Sequence, residues 1–125
     1  MPNLNQLFGK KSETEAVRQL KKMGYKIQET NYRNRLGEID IIAKDRDTIA
    51  FIEVKARKSK TYGNPKWAIT PKKQRKISMV ALSYLKATRQ IHTKARFDVV
   101  TVTLNPEDAT STIDVLKNAF ELAYG

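Results

Sequence analysis

The chain has 125 residues, 40% of them hydrophobic, with no cysteine and a single histidine, His92, so disulfide staples, thiolate catalysis and a histidine-rich zinc site are all excluded. Any metal must sit on oxygen ligands. The net charge of +11 is concentrated: thirteen Lys or Arg and no acid lie between Lys55 and Arg96, while the rest of the chain sets eleven basic residues against all thirteen acids. Such a one-signed field attracts polyanions and makes binding steeply salt-dependent, which is the electrostatic mark of a nucleic-acid binder.

The length suits a single domain, residues 1–125, with a modest core. No apolar run approaches the ~20 residues of a membrane span, and "MPNLNQLFGKK" lacks the features of a signal peptide, so a soluble cytoplasmic protein is expected. Ser12 reads as an N-cap with Glu15 three residues on, and Ala16, Val17, Leu20 and Met23 then share one face until Gly24, which predicts a helix over 13–23. "YKIQETNYR" supplies a short first strand around Tyr25 and Ile27. "RLGEIDIIAK" and "TIAFIEVKAR" give two more, joined by the polar "KDRD" into a hairpin over 37–57.

"SKTYGNPKW", residues 59–67, reads as a loop or lid in which Tyr62 and Trp67 either stack on unpaired bases or cover the core edge. Thr70 as N-cap and Pro71 at the first helical position open a second helix that runs to about residue 88, with Ile77, Val80, Ala81, Tyr84 and Leu85 inward. "RFDVVTVTL" and "TIDVL" are further strands, and "KNAFEL" is a helical tail. The order is α-β-β-β-α-β-β, an α/β fold with a mixed sheet and a helix on each side.

In the third strand Ile49, Phe51, Glu53, Lys55 and Arg57 share a face that begins apolar and turns charged, as in a buried strand opening into a polar site. A turn centred between Arg46 and Asp47 sets Asp40 opposite Glu53, at a Cβ separation of ~4.5–5.5 Å, where like charges repel unless a cation lies between them. Mg²⁺, or Mn²⁺, is such a cation, satisfied by two carboxylates, a main-chain carbonyl and waters; Lys55 is the other. The Lys55 ammonium can hold the water that attacks phosphorus and meet the charge that develops. Glu15 either completes the metal shell or serves the cap. A surface ladder of ion pairs is the plainer account of these charges, but Asp40 amid "IDII" and Glu53 amid "FIEVK" have core-forming neighbours.

Lys72, Lys73, Arg75 and Lys76 crowd the first turns of the second helix, where each cation opposes the helix dipole by ~0.3–1 kcal/mol; phosphate binding is the preferred reason and a solvated basic face the alternative. Arg57 and Lys58 extend the site strand toward the same nucleic-acid backbone. Asp98 is expected to pair with Arg96 or another basic neighbour, and His92 to stand apart.

Taken together, Asp40 followed by Glu53-x-Lys55 on the next strand resembles the PD-(D/E)xK nuclease motif, with Ile39 in place of the proline. "GEIDIIAKD", "FIEVKAR", "YGNP", "KQRKI", "ALSYL" and "RFDVV" in that order are similar to the YraN-like family of small bacterial proteins, regarded as predicted endonucleases related to Holliday-junction resolvases. The resemblance covers nearly the whole chain. It implies a restriction-endonuclease-like αβββαβ core, Asp40 and Glu53 as metal ligands, Lys55 as the catalytic lysine and Glu15 as the first-helix carboxylate. Lys73 matches a lysine characteristic of the family. The implied activity is metal-dependent hydrolysis of DNA, branched DNA and a homodimer included and RNA left open. The rival expectation is a non-catalytic nucleic-acid-binding protein of repair, recombination or RNA handling.

Overall fold

The computed structural model describes residues 4–57, 69–105, 107 and 110–121. Their order is α1 (Leu4–Lys22), β1 (Lys26–Asn34), β2 (Gly37–Asp45), β3 (Thr48–Arg57), α2 (Pro71–Ala87), β4 (Lys94–Leu104) and β5 (Ser111–Phe120). The five strands form one sheet in the order β1-β2-β3-β4-β5, antiparallel except for the parallel pair β3–β4, which α2 connects. A parallel neighbour needs such a crossover, because a tight turn can only return the chain antiparallel. The mixed α/β architecture read from the sequence is therefore the one observed, and it is consistent with a restriction-endonuclease-like core. No helix among the described residues is long and apolar enough to cross a membrane.

Strand alternation divides the core in two. Ile42, Ile49, Phe51, Phe97 and Val99 pack against Ile77, Val80, Ala81, Tyr84 and Leu85 of α2, the inward face expected. On the other side Ile41, Ala43, Ala50, Ile52, Val100 and Val102 pack against Ala16 and Leu20 of α1. Ring contacts knit the α2 side: Phe51 meets Tyr84 edge-on at 5.9 Å, and Phe120 stacks on Phe97 at 4.6 Å. Such pairs add ~0.5–1.5 kcal/mol each beyond the area they bury.

Three local expectations fail. Ser12 is not an N-cap: α1 begins well before it, and its hydroxyl is buried within the helix with no hydrogen-bond partner among the described residues. Met23 lies past the end of α1 and is exposed. That end is a Schellman turn, with Gly24 at φ 96°, Gly24 N–H donating to Lys21 O and Tyr25 N–H to Leu20 O. The "KNAFEL" tail is not helical over its described residues 117–121 either, since β5 runs through to Phe120 and Phe120 packs against the core. The strand accommodates this by a register shift opposite Phe97 and Val99 and a left-handed Asn118 at φ 55°. By contrast Thr70 caps α2 as expected, accepting from Lys73 N–H at 3.2 Å. The expected loop over 59–67, with Tyr62 and Trp67, lies outside the described residues.

Candidate active site

The hairpin register expected from the sequence is observed, with Ile41 opposite Ile52 and Asp45 opposite Thr48. One step further the ladder opens. Asp40 Oδ2 accepts from Val54 N–H at 2.8 Å, so a carboxylate replaces the next rung. Side-chain alternation also breaks there, because Ile39 joins the α2-side core and Ile41 the α1-side core. Opposite the break on β1, Asn31 has φ 53°, a left-handed conformation that asparagine tolerates better than most residues. Asp40 consequently sits where both helices can influence it.

Glu53 is 7% exposed and continues the face of Ile49 and Phe51. Helix α2 covers the apolar part of that face, and its first turn arrives where the face becomes charged. From there Lys73 Nζ reaches Glu53 Oε1 at 2.8 Å. Burial, and next the charge of Asp40, push the Glu53 carboxyl above its ordinary range. Burial raises Asp40 as well, while the Val54 N–H, Lys73 and Lys55 draw it down. Burial, and then the neighbouring Lys73, hold Lys55 below the usual lysine range. For Lys73 burial acts downward, but the hydrogen bond and charge of Glu53 leave the ammonium raised. Asp40, Glu53, Lys55 and Lys73 therefore form one electrostatic unit, two acids and two bases drawn from β2, β3 and α2.

Of the remaining sequence candidates, Arg57 donates from Nε to Thr103 Oγ1 at 3.0 Å across the parallel pair. Lys72, Arg75 and Lys76 line the outside of α2, all three exposed, and no described acid lies within ion-pair distance of any of them. Lys58 lies outside the described residues. Thr101, the register partner of Lys55 on β4, is fully buried, and its hydroxyl has no hydrogen-bond partner among the described residues.

Glu15 is not brought to this unit. It lines a surface hollow with Arg18, Gln19, Lys22, Ser111 and Ile113, over β5 rather than β2. The α1 carboxylate beside Asp40 is Glu13, in a groove shared with Lys10, Thr14, Thr30 and Asn31. Burial and then Asp40 raise its carboxyl. With its amide nitrogen turned toward the acids, Asn31 lies 3.2 Å from Glu13 Oε2 and 3.3 Å from Glu38 Oε1. The signal for Glu13 was present in the sequence: Glu13, Ala16, Val17 and Leu20 follow the i, i+3, i+4, i+7 spacing of one face, and Glu15 does not.

Among the described residues no group of three or more acidic or histidine side chains is arranged to hold a metal ion. Asp40, half-buried, and Glu53, buried, offer a pair of oxygen donors whose charges repel. Those donors fit a hard divalent cation such as Mg²⁺, which commonly takes one or two carboxylates and completes its shell with water and phosphate.

A family model described as "Uncharacterised protein family UPF0102" matches residues 12–102. A UPF0102 protein of Syntrophus aciditrophicus (strain SB) is 53% identical over 117 residues, covering 94% of this chain and 91% of that protein. One of Desulfosudis oleivorans (strain DSM 6200 / JCM 39069 / Hxd3) is 50% identical over 121 residues, with 97% and 95% coverage. One of Geobacter metallireducens (strain ATCC 53774 / DSM 7210 / GS-15) is 48% identical over 120 residues, with 96% and 97% coverage. The matched segment carries the whole Asp40–Glu53–Lys55–Lys73 unit, and by it the chain belongs to the UPF0102 family, the YraN-like family that its motifs resemble.

Proposed function

We propose that this protein is a divalent-metal-dependent endonuclease that hydrolyses phosphodiester bonds in DNA. The observation that carries the reading is the Asp40–Glu53 carboxylate pair at the opening of the β2–β3 ladder, with Lys55 and Lys73 beside it and Lys72, Arg75 and Lys76 exposed on the same first turns of α2. Surface ion pairs do not account for it, because Glu53 is buried and its repulsion with Asp40 is a cost to the fold.

Asp40 and Glu53 would hold Mg²⁺ or Mn²⁺, which supplies charge neutralisation at the phosphate. The Val54 N–H fixes Asp40 and frees its second oxygen for that role. Lys55, on the same face as Glu53, orients the attacking water and meets the negative charge that develops on phosphorus oxygens. Its lowered proton affinity suits a group that exchanges hydrogen bonds with water during the reaction. Lys72, Arg75 and Lys76 contact the nucleic-acid backbone, where they set affinity and register without reading sequence.

The test is cleavage of labelled four-way-junction, flap, single-stranded and duplex DNA in Mg²⁺ or Mn²⁺ by the wild type and Glu53→Ala in parallel. Cleavage by the wild type alone is expected, and its best substrate names the preferred structure. Equal cleavage by both proteins refutes the assignment of Glu53. Salt-dependent binding with no cleavage in either metal supports instead a nucleic-acid-binding protein that uses the same basic face.

A further inference from the structure

The Lys73–Glu53 contact raises a question of charge balance that the proposed nuclease chemistry leaves open. Asp40 and Glu53 carry two negative charges, Lys55 and Lys73 two positive ones, and all four side chains influence one another. The unit is neutral as it stands. A divalent cation added to it would meet two ammonium groups at close range, one of them 2.8 Å from Glu53 Oε1.

The two lysines differ in their freedom to leave. Lys55 is held on the central strand β3, register partner to the buried Thr101. Lys73 stands on the first turn of α2, and its side chain is 42% exposed, so its ammonium can swing into water without disturbing the core. Its backbone N–H is already engaged by the Thr70 cap, so the helix start does not depend on the side chain.

We infer that Lys73 is a resident counter-ion of the carboxylate pair, which neutralises Glu53 in the metal-free protein and which a divalent cation must displace from Glu53 in order to bind. The inference rests on the reading of Asp40 and Glu53 as a metal site. It makes Lys73 a residue that sets metal affinity, separate from the backbone-contacting lysines beside it on α2. Weak binding of the cation in the absence of nucleic acid follows, since the incoming ion competes with a group tethered at its own site.

The experiment is isothermal titration of Mn²⁺ into wild type, Lys73→Met, Lys73→Arg and Glu53→Gln at fixed ionic strength, without nucleic acid. Lys73→Met is expected to bind Mn²⁺ about tenfold more tightly than wild type, equivalent to about 1.4 kcal/mol. Lys73→Arg keeps the charge and is expected to bind as wild type, which controls for effects of substitution at the helix start. Glu53→Gln supplies the background of surface binding. Equal or weaker affinity in Lys73→Met, with wild-type binding clearly above the Glu53→Gln background, overturns the counter-ion role and leaves the metal site standing. Wild-type binding no stronger than that of Glu53→Gln overturns the metal site and the counter-ion role together.

Discussion

Replacing Ser12 by alanine tests the placement of α1 through the sign of a stability change. As an N-cap, Ser12 would lose ~0.5–2 kcal/mol on substitution, because a first-turn N–H would lose its acceptor. In the structure the residue is 2% exposed, lies inside Leu4–Lys22 and carries an unpartnered hydroxyl. Removing a buried hydroxyl without a partner relieves ~1–3 kcal/mol on the scale of protein substitutions. Alanine adds up to ~0.7 kcal/mol of helix propensity. Against these stands the loss of a few atom contacts at ~0.1–0.2 kcal/mol each. The expected net gain is about 1–2 kcal/mol, a rise in Tm of roughly 3–10 °C for a domain of this size. Urea unfolding followed by circular dichroism measures it, and an unchanged m-value shows that the effect is on stability alone. A loss of stability would refute the buried placement of Ser12.

Two further outcomes are expected. Burial and mutual repulsion raise Glu53 above 4.5 and burial raises Asp40 above 3.8, so the folded state binds protons more readily than the unfolded chain at pH values just above these. This contribution is greatest below the unfolded values and is lost as pH rises through the raised ones. Glu53→Gln in EDTA should therefore flatten the fall in Tm as pH rises above 4.5; the same slope in both proteins would remove the electrostatic account of the pair. On the neighbouring strand, where it is the register partner of Ile52, Asp98 is fully buried and accepts from Tyr25 Oη at 2.9 Å, Arg96 Nε at 3.0 Å and the Asn118 N–H at 2.9 Å. Asp98→Ala strands all three donors and should cost about 3–5 kcal/mol in urea unfolding; a loss below about 1 kcal/mol would contradict the network.

The sequence was most informative where local chemistry and fold agree. Thr70-Pro71 carries a cap and a preset φ, so the start of α2 could be read from two residues. The β2–β3 register over Ile41–Asp45 followed from a short polar turn between two strongly alternating strands, whereas the break in the ladder at Asp40, whose carboxylate accepts from the Val54 N–H, had no local signature. The pairing of Asp98 with Arg96 was likewise anticipated and is observed. Ser12 misled because Ser-x-x-Glu satisfies a capping pattern at any depth in a helix, and only packing distinguishes the cases. "KNAFEL" misled because its helix-forming residues are overridden by Phe120 stacking on Phe97 and by Asp98 anchoring the Asn118 N–H. Neither contact has a local signature. The place of Glu15 depends on how α1 packs across the sheet, as Lys73's reach to Glu53 depends on how α2 lies across β3, and neither packing is written in local spacing.

The knot around Arg96 has a consequence for how the molecule breathes. Arg96 joins Asp98 of β4, Tyr25 at the entry to β1 and Asp45 at the end of β2, and Lys117 of β5 adds a second tie to Asp45. The entry to β1 and strands β2, β4 and β5, which flank β3 on both sides, are thus tied together toward the hairpin end. The opposite end holds two repelling carboxylates, an unpartnered Thr101 and the opened ladder at Asp40. Hydrogen exchange should therefore be slowest around residues 96–98 and quickest toward the ends of β3 and β4 beyond Glu53, so that the sheet frays from one side. A molecule secured at one end can tolerate changed side chains at the other without losing its fold. The chemistry at positions 40, 53, 55 and 73 is then open to evolutionary revision on a scaffold whose integrity is guarded some distance away.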